Sequence, residues 1–326
     1  MSILKYIPYF KRKRELDTNR AKGCMFGQSV GDALGLGSEF MCKTEVETYY
    51  PDGLTDYSQI WQDRHRRRWH KGDWTDDTDM MLCIANAIIE TGKADYLVIA
   101  RNFKDWLNGT PMGIGQNTYN VLSLGDYESN PMKAAEIVWE MSRRQSAANG
   151  GVMRTSVIGL LPNDVIRSAE DTCKLTHFDP RCIGSCVIVS SIIHSLVYEN
   201  RALSYDEIIE IGERYDNSIT EFVEKAYYGQ FEDVDLEDDS MGYTLHCLFA
   251  ALWCYFHVRS FEEGLLKVVN AGGDADTNAA VACSILGAKY GFDAIPTKFI
   301  DCLYHKDIMT ETFEKLIKAI KRNHSI

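Results

Sequence analysis

Apolar residues return every three to four positions along most of this chain, the spacing of helices with one buried face. Leu82, Ala85, Ile88 and Ile89 share such a face, as do Ile183, Val187, Ser190, Ser191 and His194. Residues 179–198 carry small and apolar side chains on several faces, which predicts a central, buried helix. Further helices are predicted over 205–227, 243–257, 276–290 and 309–321. Pro131 suits a first helical position, and Ser260 and Asp164 suit N-caps. Strand-like alternation is scarce, and neither a repeat nor a Gly/Ser/Pro-rich linker divides the chain. The pattern predicts an all-α, compact single domain.

Three segments depart from it. Residues 41–72 are aromatic-rich and broken by Pro51-Asp52-Gly53, so they read as a long loop with at most one short element; loops of such length are usually functional or mobile. Residues 230–240 hold six acids and read as a solvated connection. At the start, apolar residues 3–10 precede Lys11-Arg12-Lys13-Arg14, the reverse of a secretory signal. Residues 1–20 are therefore expected to form an arm or extension, with the domain proper over 21–326.

Composition narrows the classes. The 326 residues are 45% hydrophobic and 25% charged, which excludes a disordered or collagen-like chain, and only 7 prolines favour helix. A net charge of -12 disfavours a polyanion-binding surface overall. No apolar run is expected to cross a bilayer, so no membrane partner is predicted. The 10 cysteines are scattered without a CxxC, as reduced thiols of an intracellular, cytoplasmic protein would be. Cys182 and Cys186 lie one turn apart, with His177 and His194 nearby, but lack a trusted zinc spacing.

Two acidic clusters carry the chemistry. Trp74-Thr75-Asp76-Asp77-Thr78-Asp79 precedes an apolar helix expected from Met80, and Gly272-Gly273-Asp274-Ala275-Asp276-Thr277-Asn278 precedes a small-residue helix. Either cluster alone could be an N-cap with acids facing the helix dipole. Together they exceed what capping needs. Carboxylate and hydroxyl oxygens without His or Cys suit Mg²⁺ or Mn²⁺ rather than zinc.

The pair resembles the two metal-binding motifs of the ADP-ribosylglycohydrolase family. Other landmarks of that family follow in order: Gly27-Gln28-Ser29-Val30-Gly31-Asp32-Ala33-Leu34-Gly35 with Glu39, then Asn149-Gly150-Gly151-Val152-Met153-Arg154, then Thr176-His177. The second metal motif departs from the usual pattern in having Ala275 where Thr is common. The resemblance covers residues 23–291, most of the chain.

The resemblance implies an orthogonal helical bundle with a dinuclear metal cleft. Thr75, Asp76 and Asp77 would supply ligands from one side and Asp274, Asp276 and Thr277 from the other, holding two Mg²⁺ ions (or Mn²⁺) with one carboxylate between them. It also implies hydrolysis of the glycosidic bond joining ADP-ribose to a modified macromolecule or related compound. Glu39 is the candidate for water activation, with Asp77 the second candidate. Asp32 reads as supporting rather than ligating. Asn149, Gly150 and Gly151 would receive the pyrophosphate at a helix start, with Gly113, Gly115 and His177 also on the substrate. Arg154 could reach phosphate or pair with a buried acid, and an aromatic platform for adenine is expected.

Arg64-His65-Arg66-Arg67-Arg68, with Trp69-His70-Lys71, is unusual in so acidic a chain. It reads as a solvated loop, or as a docking patch for an acidic protein or nucleic-acid target. A non-catalytic, ADP-ribose-binding or structural member of the same fold is the alternative to an enzyme.

Overall fold

The computed structural model describes residues 15–238 and 240–324. Among them the chain forms α1 (Thr18–Gly35), α2 (Lys43–Tyr49), α3 (Asp76–Thr91), α4 (Tyr96–Asn108), α5 (Gln116–Leu122), α6 (Pro131–Met141), α7 (Val165–Cys173) and α8 (Pro180–His194). There follow α9 (Tyr205–Gly212), α10 (Asn217–Tyr228), α11 (Thr244–His257), α12 (Phe261–Val269), α13 (Ala275–Tyr290), α14 (Thr297–Asp301) and α15 (Lys306–His324). Extended pairing among the described residues is limited to two isolated bridges, Met41 with Gly273 and Ala148 with Tyr243. The all-α single domain is as the periodicity predicts.

Two antiparallel helices organise the core by touching backbone to backbone. Gly23, Gly27 and Gly31 of α1 lie so close to α13 that an added Cβ would sit 2.2 Å from the carbonyl oxygens of Gly287, Cys283 and Ala279 respectively. The four-residue spacing puts these glycines on one row of α1, and any side chain there would push the helices apart. The contact brings the end of α1, with Asp32, beside the start of α13, with Asp276. Both acidic clusters are thereby placed at one end of the same helix pair.

The central helix α8 is buried along most of its length and continues as a π-turn over Ser195–Glu199. Contrary to the sequence expectation, Pro180–Glu199 is long and apolar enough to cross a membrane by composition. It lies inside the fold, against α7, α9 and α11. Its apolarity is that of a core helix buried on all sides.

Several boundaries differ from the pattern. The helix expected over 205–227 is two helices. The first ends at Gly212, and Asp216 caps the second by accepting from Ser218 N at 2.8 Å. Ser260 caps α12, whereas Asp164 precedes α7 in a left-handed conformation and makes no side-chain cap. Residues 41–72 contain α2 and single turns at Tyr57–Gln59 and Arg66–Arg68. They are fastened inward: Tyr50 Oη donates to Gly37 O at 2.6 Å, and Leu54 N to Asn270 Oδ1 at 2.7 Å. The acidic connection buries Phe231, Val234 and Leu236, so only part of it is solvated. The expected arm at 3–10 and its basic residues 11–14 lie outside the described residues. Helix α1 already starts at Thr18, so the expected boundary at 20/21 falls within its first turn.

Candidate functional site

Helices α3 and α13 begin at Asp76 and Ala275, so both acidic clusters lie in or immediately before first helical turns, earlier than the expected start at Met80. Thr75 is the N-cap residue of α3 yet makes no capping bond of its own. Asp32 caps the helix from α1 instead. Its Oδ1 accepts from Thr75 N and Oγ1, both at 2.9 Å, and its Oδ2 from Thr78 N at 3.0 Å and Oγ1 at 2.6 Å. Asp79 is also withdrawn from the cluster, accepting from the indoles of Trp74 at 2.9 Å and Trp106 at 3.1 Å. Asp76 and Asp77 are left to face the second cluster.

Across from them, Gly272 and Gly273 both have positive φ, 76° and 66°, where a non-glycine side chain would be strained. That turn pairs with the segment after α1: Phe40 N donates to Gly273 O at 2.7 Å, and Gly273 N to Met41 O at 2.8 Å. Glu39 is thereby held over Asp274 and Asp276. Two carboxylate trios result, each with ligand oxygens within 4.8 Å of one another: Asp32, Asp77 and Asp276, and Glu39, Asp274 and Asp276. Asp276 belongs to both.

Such crowding is electrostatically unfavourable for the bare protein. Burial first, and then the Glu39 charge, push Asp76 up to about 7. Burial also pushes Asp274 up to about 6, against a 2.6 Å hydrogen bond from Asn149 Nδ2 that favours its charged form. Asp77 and Asp276 are raised well above the carboxylate range by burial and neighbouring acids. Asp77 Oδ1 is buried without a hydrogen-bond partner. Oxygen ligands so placed, with an unpaired buried carboxylate oxygen among them, fit a hard divalent cation.

The acids form one wall of a cavity of about 1150 Å³, which also takes in Thr75, Thr277, Gly113, Gly115, Asn149, Gly150 and His177. The structure thus brings together every predicted site residue except Gly151, which packs against Cys173 and the His177 ring. Gly113 is needed for close approach, since a Cβ there would come 2.8 Å from Asp76 Oδ1, while Gly115 has open space around it. The segment after Asn149 is a short 3₁₀ turn, Val152–Arg154, rather than the helix start expected, and the Asn149 amide is committed to Asp274.

Thr176 sets the state of His177. Its hydroxyl accepts from Arg154 Nη2 at 2.6 Å and lies 2.7 Å from His177 Nδ1, placed to donate its own hydrogen to that nitrogen. With Nδ1 accepting, Nε2 of His177 carries the ring hydrogen; Nε2 is buried and has no protein partner. Burial pushes this imidazole down to about 3, so it is a neutral donor. Arg154 itself is buried with its guanidinium 4.4 Å from the Phe103 ring centroid, and serves to fix Thr176 rather than to line the cavity. The zinc grouping is not assembled: Cys182 donates to Ala148 O at 3.2 Å, and His194 packs on Tyr198.

The basic run is divided. Arg66 is buried, donating to Leu36 O at 2.9 Å and to the Glu39 carbonyl, while Arg64 and Arg67 are exposed. His65, Arg68 and Trp69 line the cavity together with Phe40, and Phe40, His65 and Trp69 are the rings in that lining. The contact of His65 with Glu39 joins residues 26 apart and leaves no local signal in the sequence of the run.

A model of the ADP-ribosylglycohydrolase family matches residues 13–325. The chain is 28% identical over 289 residues to the ADP-ribosyl-dinitrogen reductase glycohydrolase of Rhodospirillum rubrum, covering 87% of this chain and 90% of that protein. It is 24% identical over 312 residues to the ADP-ribosylarginine hydrolase Tri1 of Serratia proteamaculans, covering 91% and 79%. A solved structure described as an ADP-ribosylglycohydrolase-related protein complex matches with a TM-score of 0.72 and 26% identity, over 93% of this chain and 99% of that one. The chain belongs to the ADP-ribosylglycohydrolase family.

Proposed function

We propose that the protein is a Mg²⁺-dependent hydrolase that releases ADP-ribose from a modified protein side chain. The observation that carries this reading is Asp276, which lines the cavity and is common to two carboxylate trios. Thr75, Asp76, Asp77, Asp274, Asp276 and Thr277 would hold two Mg²⁺ ions (Mn²⁺ serving as well), which would orient the ribose hydroxyls and polarise a water. The two relatives named above act, by their names, on ADP-ribosylarginine and on an ADP-ribosylated reductase, which supports a protein substrate.

The chain's own groups supply the rest. Glu39 takes a proton from the attacking water at its carboxylate as that oxygen bonds to the anomeric carbon. The glycosidic bond breaks with its electrons going to the side-chain heteroatom, which takes up the proton Glu39 received, and the surrounding acids stabilise positive charge on the sugar. Neutral His177 offers Nε2–H to a ribose hydroxyl or phosphate oxygen. Gly113 and Gly150 let the nucleotide approach backbone. The ten free thiols support an intracellular setting.

Incubation with proteins carrying ADP-ribose on arginine or on serine, with Mg²⁺ and with EDTA, tests the reading and names the linkage. Release that EDTA abolishes supports it. Binding of ADP-ribose without release from either substrate would favour the non-catalytic alternative.

A further inference from the structure

The segment 63–69 folds back onto Glu39 and holds it by both ends. His65 Nε2 lies 2.6 Å from Glu39 Oε2, and His65 Nδ1 lies 2.8 Å from Arg68 Nη2. A guanidinium can only donate, so Nδ1 is the acceptor, and Nε2 carries the hydrogen and donates it to Glu39. Arg68 is itself immobilised: Nε donates to His65 O at 3.0 Å, Nη1 to Met112 O at 2.9 Å, and its guanidinium stacks 4.4 Å from the Trp69 ring centroid. Buried Arg66, paired with Asp63, donates to the Glu39 carbonyl. The His65 ring also contacts Phe40 and Trp69, each at 5.4 Å between centroids.

We propose that His65 is the positioning residue for Glu39, with Arg68 fixing its tautomer. One Glu39 oxygen is tied by a neutral donor, which holds the carboxylate in a single orientation over Asp274 and Asp276 without neutralising it. This rests on the hydrolase reading above, in which Glu39 takes the proton from water. Arg68 links the device to Met112, next to Gly113, so the same guanidinium sets Glu39 and one edge of the substrate cavity. The basic run thereby has an inward task that its charge alone does not suggest.

The test compares His65→Phe, which keeps the ring packing and loses the donor, with His65→Gln, which keeps an N–H within reach of Glu39. With Mg²⁺ and an ADP-ribosylated protein, His65→Phe lowers kcat by roughly 10–100-fold, the usual effect of removing such a supporting partner. ADP-ribose affinity stays unchanged, and His65→Gln recovers most of the loss. In a Glu39→Gln background, His65→Phe adds nothing, because it acts through the group already removed. Wild-type kcat in His65→Phe, equal loss in both variants, or multiplying losses would overturn the proposal. A second readout needs no turnover: the nitrogen-15 spectrum of the His65 ring is expected to report the Nε2–H tautomer in the wild type and a mixture in Arg68→Leu. An Nδ1–H ring in the wild type would overturn the relay even if no substrate is cleaved. Absence of ADP-ribose release by the wild type, with the Nε2–H tautomer seen, would instead overturn the hydrolase reading and leave the His65–Glu39 geometry standing.

Discussion

Asp32 caps the helix that Thr75 begins: one carboxylate oxygen of Asp32 accepts from both the backbone nitrogen and the hydroxyl of Thr75, at 2.9 Å each. A helix N-terminus leaves donors without intrahelical partners, and these are ordinarily satisfied by the residue just before the helix. Here the cap comes from α1, 43 residues earlier. Asp76 and Asp77 are thereby released from capping and remain available at the cavity wall.

Asp32→Ala is expected to leave buried Thr75 and Thr78 donors without partners. Unfolding of the Mg²⁺-saturated protein should then require about 1–3 kcal/mol less, with helical content retained. Chemical denaturation followed by circular dichroism checks it. A stability equal to that of the wild type would show that the cap is dispensable.

The shared position of Asp276 predicts a stoichiometry. Asp77 and Asp274 belong to different trios, so Asp77→Ala and Asp274→Ala should each remove one Mg²⁺ and leave one. Asp276→Ala should remove both. Isothermal calorimetry of the metal-stripped protein counts the sites, and two sites retained in Asp276→Ala would refute the shared ligand.

Glu39→Gln keeps size and much of the hydrogen bonding but cannot take a proton from water. Turnover should fall by about 10²–10⁴-fold, the usual worth of general base catalysis, with ADP-ribose affinity little changed. Undiminished turnover would move the role to Asp77.

The helical period marks α3 by one repeating apolar face, whereas α8, α11 and α13 are legible as long runs of small and apolar residues buried on most sides. It gave no signal for α2, where Val46 is the one buried side chain in Lys43–Tyr49. It also ran α9 into α10, since apolar residues continue on both sides of the turn after Gly212. The acidic clusters were legible because their residues are adjacent in sequence. The relation of His65 to Glu39 was not, because it depends on how the 41–72 segment folds back, and a run of like charge looks the same whether it faces water or a buried carbonyl.

The raised carboxylates also set a pH dependence for the metal-stripped protein. Burial and then neighbouring acids push Asp76 up to about 7 and Asp274 up to about 6 in the folded protein, against an ordinary value of 3.8 in the unfolded chain. The folded state therefore binds more protons between those values, and stability falls as pH rises through that window. Differential scanning calorimetry should find the stripped protein less stable at about pH 8 than at about pH 5, with Mg²⁺ removing most of the difference because it binds the deprotonated site. A stripped protein that gains stability over that range would contradict the crowding described for the cavity wall.

The product formed in water enriched in oxygen-18 tests attack by water at the anomeric carbon most directly. With Mg²⁺ and an ADP-ribosylated protein, mass spectrometry should find the heavy oxygen in the released ADP-ribose and the side chain restored without it. Heavy oxygen on the side chain, or release of a fragment other than ADP-ribose, would contradict the mechanism assigned to Glu39 and the shared carboxylates.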